Sequence, residues 1–302
     1  MIKIFKTFGG YDEISKVEKG SWIKVIQPTQ EEIEKLIKEY NLPADSIQDI
    51  LDTDEMPRFE IDNTYSLIII RIPVESTQNG IPYYTVPLGI FIINDIVITI
   101  CNHNNEILQL KQVNISTDAN SFILKLFIRC GSIYLKYLKQ INQQTAQIEK
   151  DLQESIKNSE LKKLLKMEKC LVYFVTSIKS NEIVLFKLKN SKKITTEINE
   201  DLLEDAMIEN KQALEMAKIY SDILSGMMDA FASIISNNLN VIMKKLTLIS
   251  ILIMIPTFVA SVFGMNVPNF MEKSDLALPS IIIFSIALST LSIYFMRKNR
   301  WF

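Results

Sequence analysis

Cysteine, histidine and glycine are all scarce in this 302-residue chain, and each scarcity removes a class of chemistry. The three cysteines, Cys101, Cys130 and Cys170, are odd in number, far apart and without the paired spacing of a metal site. They read as buried thiols of a chain kept in a reducing compartment. The single histidine, His103, follows a lone cysteine, Cys101, with no second His or Cys beside them to complete a metal site, so it reads as a turn residue following a strand. None of the eight glycines builds a phosphate-cradling loop. Excess charge of one sign is lacking too. The 33 basic and 35 acidic side chains leave a net charge of -2, which gives no electrostatic reason to expect nucleic acid as a partner. No internal repeat or low-complexity tract is present, and no catalytic residue or catalytic cofactor is indicated, so the chain does not read as an enzyme. The N-terminal Met1-Ile-Lys-Ile-Phe-Lys-Thr-Phe lacks the apolar centre of a signal peptide and alternates like a strand, which predicts a cytoplasmic start.

Apolar character is concentrated at the C-terminal end, where neither Leu246 to Phe263 nor Leu276 to Met296 contains a charged residue. At about 1.5 Å per helical residue, each run matches a hydrocarbon layer of roughly 30 Å. Two buried helices of a soluble bundle are the alternative, but charge-free runs of this length are unusual there. Lys244 and Lys245 precede the first run, and Arg297, Lys298 and Arg300 follow the second. Positive flanks of this kind place both termini in the cytoplasm and the short loop with Glu272, Lys273 and Asp275 outside, in an inner or plasma membrane. Trp301 and Phe302 then fall at headgroup level.

The remainder predicts an α+β cytoplasmic domain over residues 1–120, a helical region with a long stalk helix over 121–245, and a transmembrane hairpin over 246–302. Ser21 to Gln27 reads as a strand, and Thr29-Gln-Glu-Glu32 as a capping box opening a helix through Tyr40. A second helical piece follows Pro43, from Ala44 to Leu51. Tyr65 to Ile72, a tract near Tyr84, and Leu88 to Ile100 are rich in β-branched residues, and Asn94-Asp95 can turn a hairpin within the last run. Helical spacing appears from Ser121 to about Lys157 and from Ser159 to about Lys189. A third helix begins near Thr196 with no strong breaker before the membrane, since Gly226 alone costs only about 1 kcal/mol relative to alanine. Continuous to Phe263, it would be a rod of about 100 Å. Pro256 is expected to break its register near Met254 and to free backbone that Thr257 is placed to satisfy.

Asn240, Met243, Thr247, Ser250, Met254, Thr257 and Ser261 recur at alternating spacings of three and four, and Asp229, Ser233 and Ser236 continue the series backward. This is the seam of a helix packed around an axis, but here the seam is polar or soft while the remaining positions are Ile, Leu, Val and Phe. Ser and Thr in a span also bond to i−4 carbonyls or join helices, which is the plainer reading. Two helices alone enclose no conduit, so a conducting reading requires several copies around one axis. Oxygen donors without Cys or His suit a hard, hydrated cation, and symmetric rings of Met243 and Met254 would form apolar constrictions. Asp229 would form a carboxylate ring at the inner end, unless it is simply a solvated side chain.

Phe263-Gly264-Met265-Asn266, directly after the first of two C-terminal spans, resembles the aromatic-Gly-Met-Asn signature of the CorA family of magnesium channels. Ser225 to Asp229, Asn240 to Thr247, Arg297 to Trp301 and Asp49 to Glu60 support the likeness, which covers essentially the whole chain. The resemblance implies a funnel-shaped homopentamer conducting hydrated divalent cations inward, chiefly Mg²⁺. Gly264, Met265 and Asn266 would form the selectivity filter, with Asp229, Asn240, Met243 and Met254 at pore positions. By the same resemblance Asp205 is a regulatory carboxylate that binds cytoplasmic Mg²⁺, and its partner across a subunit interface is placed near Asp49. Ser261 departs from the family, standing where glycine is frequent. Zn²⁺, Co²⁺ or Ni²⁺ transport by the same architecture is the nearest alternative, and a membrane-tethered scaffold is the alternative of another class.

Overall fold

A computed structural model describes residues 1–75, 80–109, 116, 118–154, 158–191, 199–265 and 276–298. They form two compact units, Met1–Met228 and Asp229–Phe302. In the first, strands β1 (Ile2–Phe5), β2 (Trp22–Ile26), β3 (Arg58–Ile61), β4 (Ser66–Glu75), β5 (Tyr83–Ile93) and β6 (Ile96–Cys101) form one sheet in the order β1-β2-β6-β5-β4-β3. Only the β2–β6 pair is parallel. Helices α1 (Gln30–Tyr40), α2 (Ala44–Leu51), α3 (Ala119–Glu154), α4 (Asn158–Asn190), α5 (Glu200–Phe263) and α6 (Ala277–Lys298) complete the described elements.

Local chemistry sets the boundaries. The Thr29 hydroxyl accepts from the Glu32 amide at 3.3 Å, and the Glu32 carboxylate accepts from the Thr29 amide at 3.0 Å, closing the capping box that starts α1. Asn41 ends that helix in the left-handed region, at φ 51. Asn94 and Asp95, at φ 44 and 65, form the two-residue turn between β5 and β6, whose twist matches that of the flanking strands.

Both faces of the sheet are covered, which explains why β4 reads as a nearly unbroken apolar run instead of alternating. On one face, Ile23, Val25, Leu67, Ile69, Phe91, Ile98 and Ile100 pack with Leu36 of α1 and Ile47 and Ile50 of α2. Gly89 admits α2 closely: a Cβ there would lie 2.2 Å from Ile50 Cδ1. On the other face, Trp22 donates through Nε1 to Thr99 Oγ1 at 3.0 Å and packs its ring 5.2 Å from Phe122 of α3.

The sequence separates the tract near Tyr84 from the run beginning at Leu88, whereas the structure joins them in one strand through Pro87. The ladder supplies the reason. Arg71, paired in register with Pro87, turns its backbone amide and carbonyl away from β5 to Asn181 of α4, so this is a non-hydrogen-bonded pair and the missing Pro87 amide leaves no gap. Pro73, opposite Thr85, occupies the same kind of position. Strand β3, which the sequence does not mark, pairs with β4 only from Ser66 to Ile69. Past that point Asn181 serves as a substitute strand, accepting from Arg71 N at 2.8 Å and donating to Arg71 O at 2.7 Å.

Helix α5 is fastened into the first unit. Ser132 of α3 donates to Glu209 at 2.6 Å, and Asn210 donates to Ile178 O of α4 at 3.2 Å. Gly131 permits the α3 approach, since a Cβ there would lie 3.2 Å from the Glu209 backbone. The three cysteines are free and buried, as expected of inert thiols.

Asn181→Leu leaves the Arg71 amide without its acceptor, at a cost of about 1–3 kcal/mol. The expected result is a fall of several degrees in the thermal unfolding midpoint of the purified chain. An unchanged midpoint would show that the β4 edge does not need this amide.

Candidate ion pathway

Asp205, Asp229, Asn240, Met243, Thr247, Ser250, Met254, Thr257 and Ser261 all lie on the single 64-residue helix α5. Their alternating spacing keeps the last eight on one stripe, which drifts by roughly 20° per heptad on a straight helix. The side chains of the stripe are exposed, with Met243 at 58% and Met254 at 65%. The apolar positions between them are equally bare, Ile253 at 64% and Phe258 at 69%. Only 6% of the most apolar 18-residue window of α5 is covered within the chain. Helices α5 and α6 are both long and apolar enough to cross a membrane. Of the described residues in the second unit, Phe231, Val259, Ser285 and Ser289 are buried.

Three of the stripe hydroxyls have defined acceptors. Thr247 donates to Met243 O at 2.9 Å, Ser250 to Leu246 O at 3.0 Å, and Thr257 to Ile253 O at 2.7 Å. These are the i−4 bonds of the plainer reading of the stripe, and they carry a chemical consequence. Each hydroxyl proton is turned back onto its own helix, which leaves oxygen lone pairs as the outward function. Such a surface accepts hydrogen bonds. The water ligands of a hydrated cation present protons outward, so the surface matches them without dehydrating the ion.

Pro256 does not break the helix, contrary to the sequence expectation: α5 runs through it to Phe263. A proline in a span removes one i→i−4 bond, here to the Leu252 carbonyl, and spans tolerate this where neighbouring groups compensate. Thr257 does not compensate at that carbonyl, because its hydroxyl goes to Ile253 O. Gly264 closes α5 by donating to Ala260 O at 2.9 Å. It turns the chain without a positive φ, and a Cβ there would crowd the Ala260 oxygen at 3.1 Å, so space at the helix end is what favours glycine. Met265 is exposed. Asn266, the loop acids Glu272 and Asp275, Lys273, and the terminal Arg300, Trp301 and Phe302 lie outside the described residues.

Asp205 is exposed near the start of α5. Asp49 is already engaged: its Oδ2 accepts from Arg58 Nη2 at 2.7 Å, and the same guanidinium bonds Glu55 and, at 2.7 Å, Glu60. Among the described residues no three His, Cys, Asp or Glu side chains gather as a metal site. Arg58 is the residue that sequence reasoning missed. Its signal lay inside the Asp49–Glu60 segment, where one cation stands among several carboxylates.

The family model for "CorA-like Mg2+ transporter protein" matches residues 17–298. The chain is 27% identical over 295 residues to the cobalt/magnesium transport protein CorA of Methanocaldococcus jannaschii, covering 93% of this chain and 90% of that one. It is 21% identical over 273 residues to the protein of the same name from Thermotoga maritima, covering 84% and 75%. Among solved structures, the complete CorA magnesium transporter of M. jannaschii superposes with a TM-score of 0.83 at 23% identity, covering 100% of this chain and 99% of that one. That likeness gives the α+β domain, the long helix and the apolar C-terminal helix the same fold. A family match running from residue 17 to residue 298 takes in both compact units, and the chain belongs to the CorA-like Mg²⁺ transporter family.

Proposed function

We propose that several copies of this chain surround one axis and conduct hydrated divalent cations, Mg²⁺ foremost, across an inner or plasma membrane into the cytoplasm. The observation that carries the reading is the stripe of α5, where the hydroxyl protons of Thr247, Ser250 and Thr257 are tied to i−4 carbonyls and leave their lone pairs as the outward function. Apolar residues on the remaining surface of α5 suit lipid and neighbouring helices. A span left almost bare within one chain over its most apolar window needs both coverings, which supports a homo-oligomer, by family resemblance a pentamer.

The ion keeps its first water shell. Mg²⁺ dehydrates reluctantly, so selection acts on the hydrated ion through acceptors at Asn240, Thr247, Ser250, Thr257 and Ser261, and at the mouth through Gly264, Met265 and Asn266. Rings of Met243 and Met254 would be apolar constrictions that close by dewetting, and a ring of Asp229 would concentrate cations at the inner end. The basic flanks support a cytoplasmic position for both termini. Asp205 is the regulatory carboxylate in this reading, with Asp49 of an adjacent copy as its partner. Cytoplasmic Mg²⁺ between them would relieve carboxylate repulsion and hold the closed state. Arg58 holds Asp49 within its own chain, so the ion must share that carboxylate or displace the guanidinium.

Proteoliposomes carrying the purified chain are expected to take up Mg²⁺, with block by hexaammine complexes that mimic the hydrated ion. Asn266→Ala is expected to reduce uptake by about tenfold or more, the loss of one hydrogen bond to a charged ligand. Flux of Co²⁺, Ni²⁺ or Zn²⁺ without Mg²⁺ would keep the architecture and change the ion. The name of the M. jannaschii relative, a cobalt/magnesium transport protein, makes Co²⁺ the first of these to try. Absence of any divalent flux would favour a membrane-tethered scaffold.

Asp205→Ala is expected to retain uptake and to lose its inhibition by Mg²⁺ on the cytoplasmic side, read as current in excised patches. Unchanged inhibition would remove Asp205 from the sensing role.

A further inference from the structure

The first unit contains a cation that the proposed conduction does not use. Arg71, in mid-β4, donates from Nε to Thr85 Oγ1 at 3.1 Å, from Nη1 to Glu55 O at 2.8 Å and from Nη2 to Thr85 O at 2.8 Å. All three acceptors are uncharged. A guanidinium has five N–H groups, so two remain beyond these bonds. No ion pair to Arg71 exists among the described residues, and partial burial pushes its pKa below the ordinary guanidinium value. Asp54 and Asp52 act on it only through space. A guanidinium partly withdrawn from water ordinarily contacts a carboxylate, and among the described residues this one does not.

Beside it opens a cavity of about 280 Å³ lined by Thr53, Asp54, Arg71, Tyr84, His103 and Tyr173, among others. That is several times the ~30 Å³ share of one water and at the small end of ligand pockets. The His103 ring stands edge-on to Tyr84 at 5.7 Å. Its Nδ1 is sealed from solvent without a hydrogen-bond partner, and burial lowers its pKa, so the ring is neutral near pH 7. A sealed acceptor is tolerated better than a sealed donor, which puts the proton on Nε2 and makes that nitrogen a donor. The structural role of Arg71, tying β4 and β5 to the segment before β3, accounts for three N–H groups. It accounts neither for the lack of a contacting carboxylate nor for the cavity.

We propose that this cavity binds a small oxyanion, a phosphate or carboxylate group, held by the remaining N–H groups of Arg71 and the Nε2–H of His103 between the rings of Tyr84 and Tyr173. A metal cation is disfavoured there by Arg71. Asp54, on the rim, opposes the anion and sets the affinity low enough for exchange.

The test uses the full-length chain in detergent, stripped of divalent ions, with inorganic phosphate, malonate and chloride at matched ionic strength. Calorimetry and the thermal midpoint are expected to show saturable binding of phosphate or malonate and none of chloride. Phosphate alone identifies a phosphate group, and malonate alone a carboxylate. Asp54→Asn is expected to tighten binding about two- to fivefold, and Arg71→Gln to weaken it by about tenfold or more. The midpoint of Arg71→Gln without ligand reports whether it folds, and His103→Gln, expected to weaken binding severalfold, replaces it if it does not. No saturable binding beyond chloride, or an affinity indifferent to Asp54→Asn, overturns the proposal.

Discussion

A backbone amide or carbonyl in hydrocarbon has no water to bond, and the C-terminal part of this chain is organised around that constraint. Helices meet it within a single segment, so α5 continues unbroken to Phe263 and carries Pro256 inside it. The same constraint acts on hydroxyls. Thr247, Ser250 and Thr257 satisfy their protons on their own backbone, and the lone pairs left over are acceptors well suited to the water shell of a cation. In the proposed conduction, structural economy in a span and acceptance of a hydrated ion would arise from one set of bonds.

In the first unit the corresponding constraint is a sheet buried on both faces. Strands that must be apolar on each side have few polar side chains to spare, and those present hold the layers in place. Asn181 reaches from α4 to finish the hydrogen bonding of β4 where β3 stops, while Tyr134 of α3 donates to the same Arg71 carbonyl at 3.0 Å. Thr85 and Ser177 meet at 2.8 Å, joining β5 to α4. Through Glu209 and Asn210 the first turns of α5 join this framework, so the helix that carries Asp205 also carries the stripe. If Asp205 senses Mg²⁺ as proposed, a force on it would act on the same helix that carries the stripe.

Much of the fold was legible because its signals are local. The capping box at Thr29, the Asn94-Asp95 turn and the bounds of α2 each depend on residues within one or two turns of each other, and each charge-free span is a single contiguous run. Pro87 obscures the continuity of β5, since only the register opposite Arg71 shows that its amide is not needed. Pro256 misled similarly, since helix-breaking rules derived in water overstate its effect in a span. The stripe was legible as a pattern, but which way its hydroxyl protons point was not.

By itself the sequence determined the number of apolar spans, the periodicity of the stripe and the place of Phe263-Gly264-Met265-Asn266 after the first span. These follow from 3.6-residue periodicity and from the solvent each segment requires, both properties of contiguous chain. Tertiary structure alone decided the partners of isolated charges. Arg58 claims Asp49 from nine residues away, whereas Arg71 is left with three uncharged acceptors and a cavity beside it. Such pairings depend on strand register and on which helix covers which face, and these emerge only when distant segments pack together.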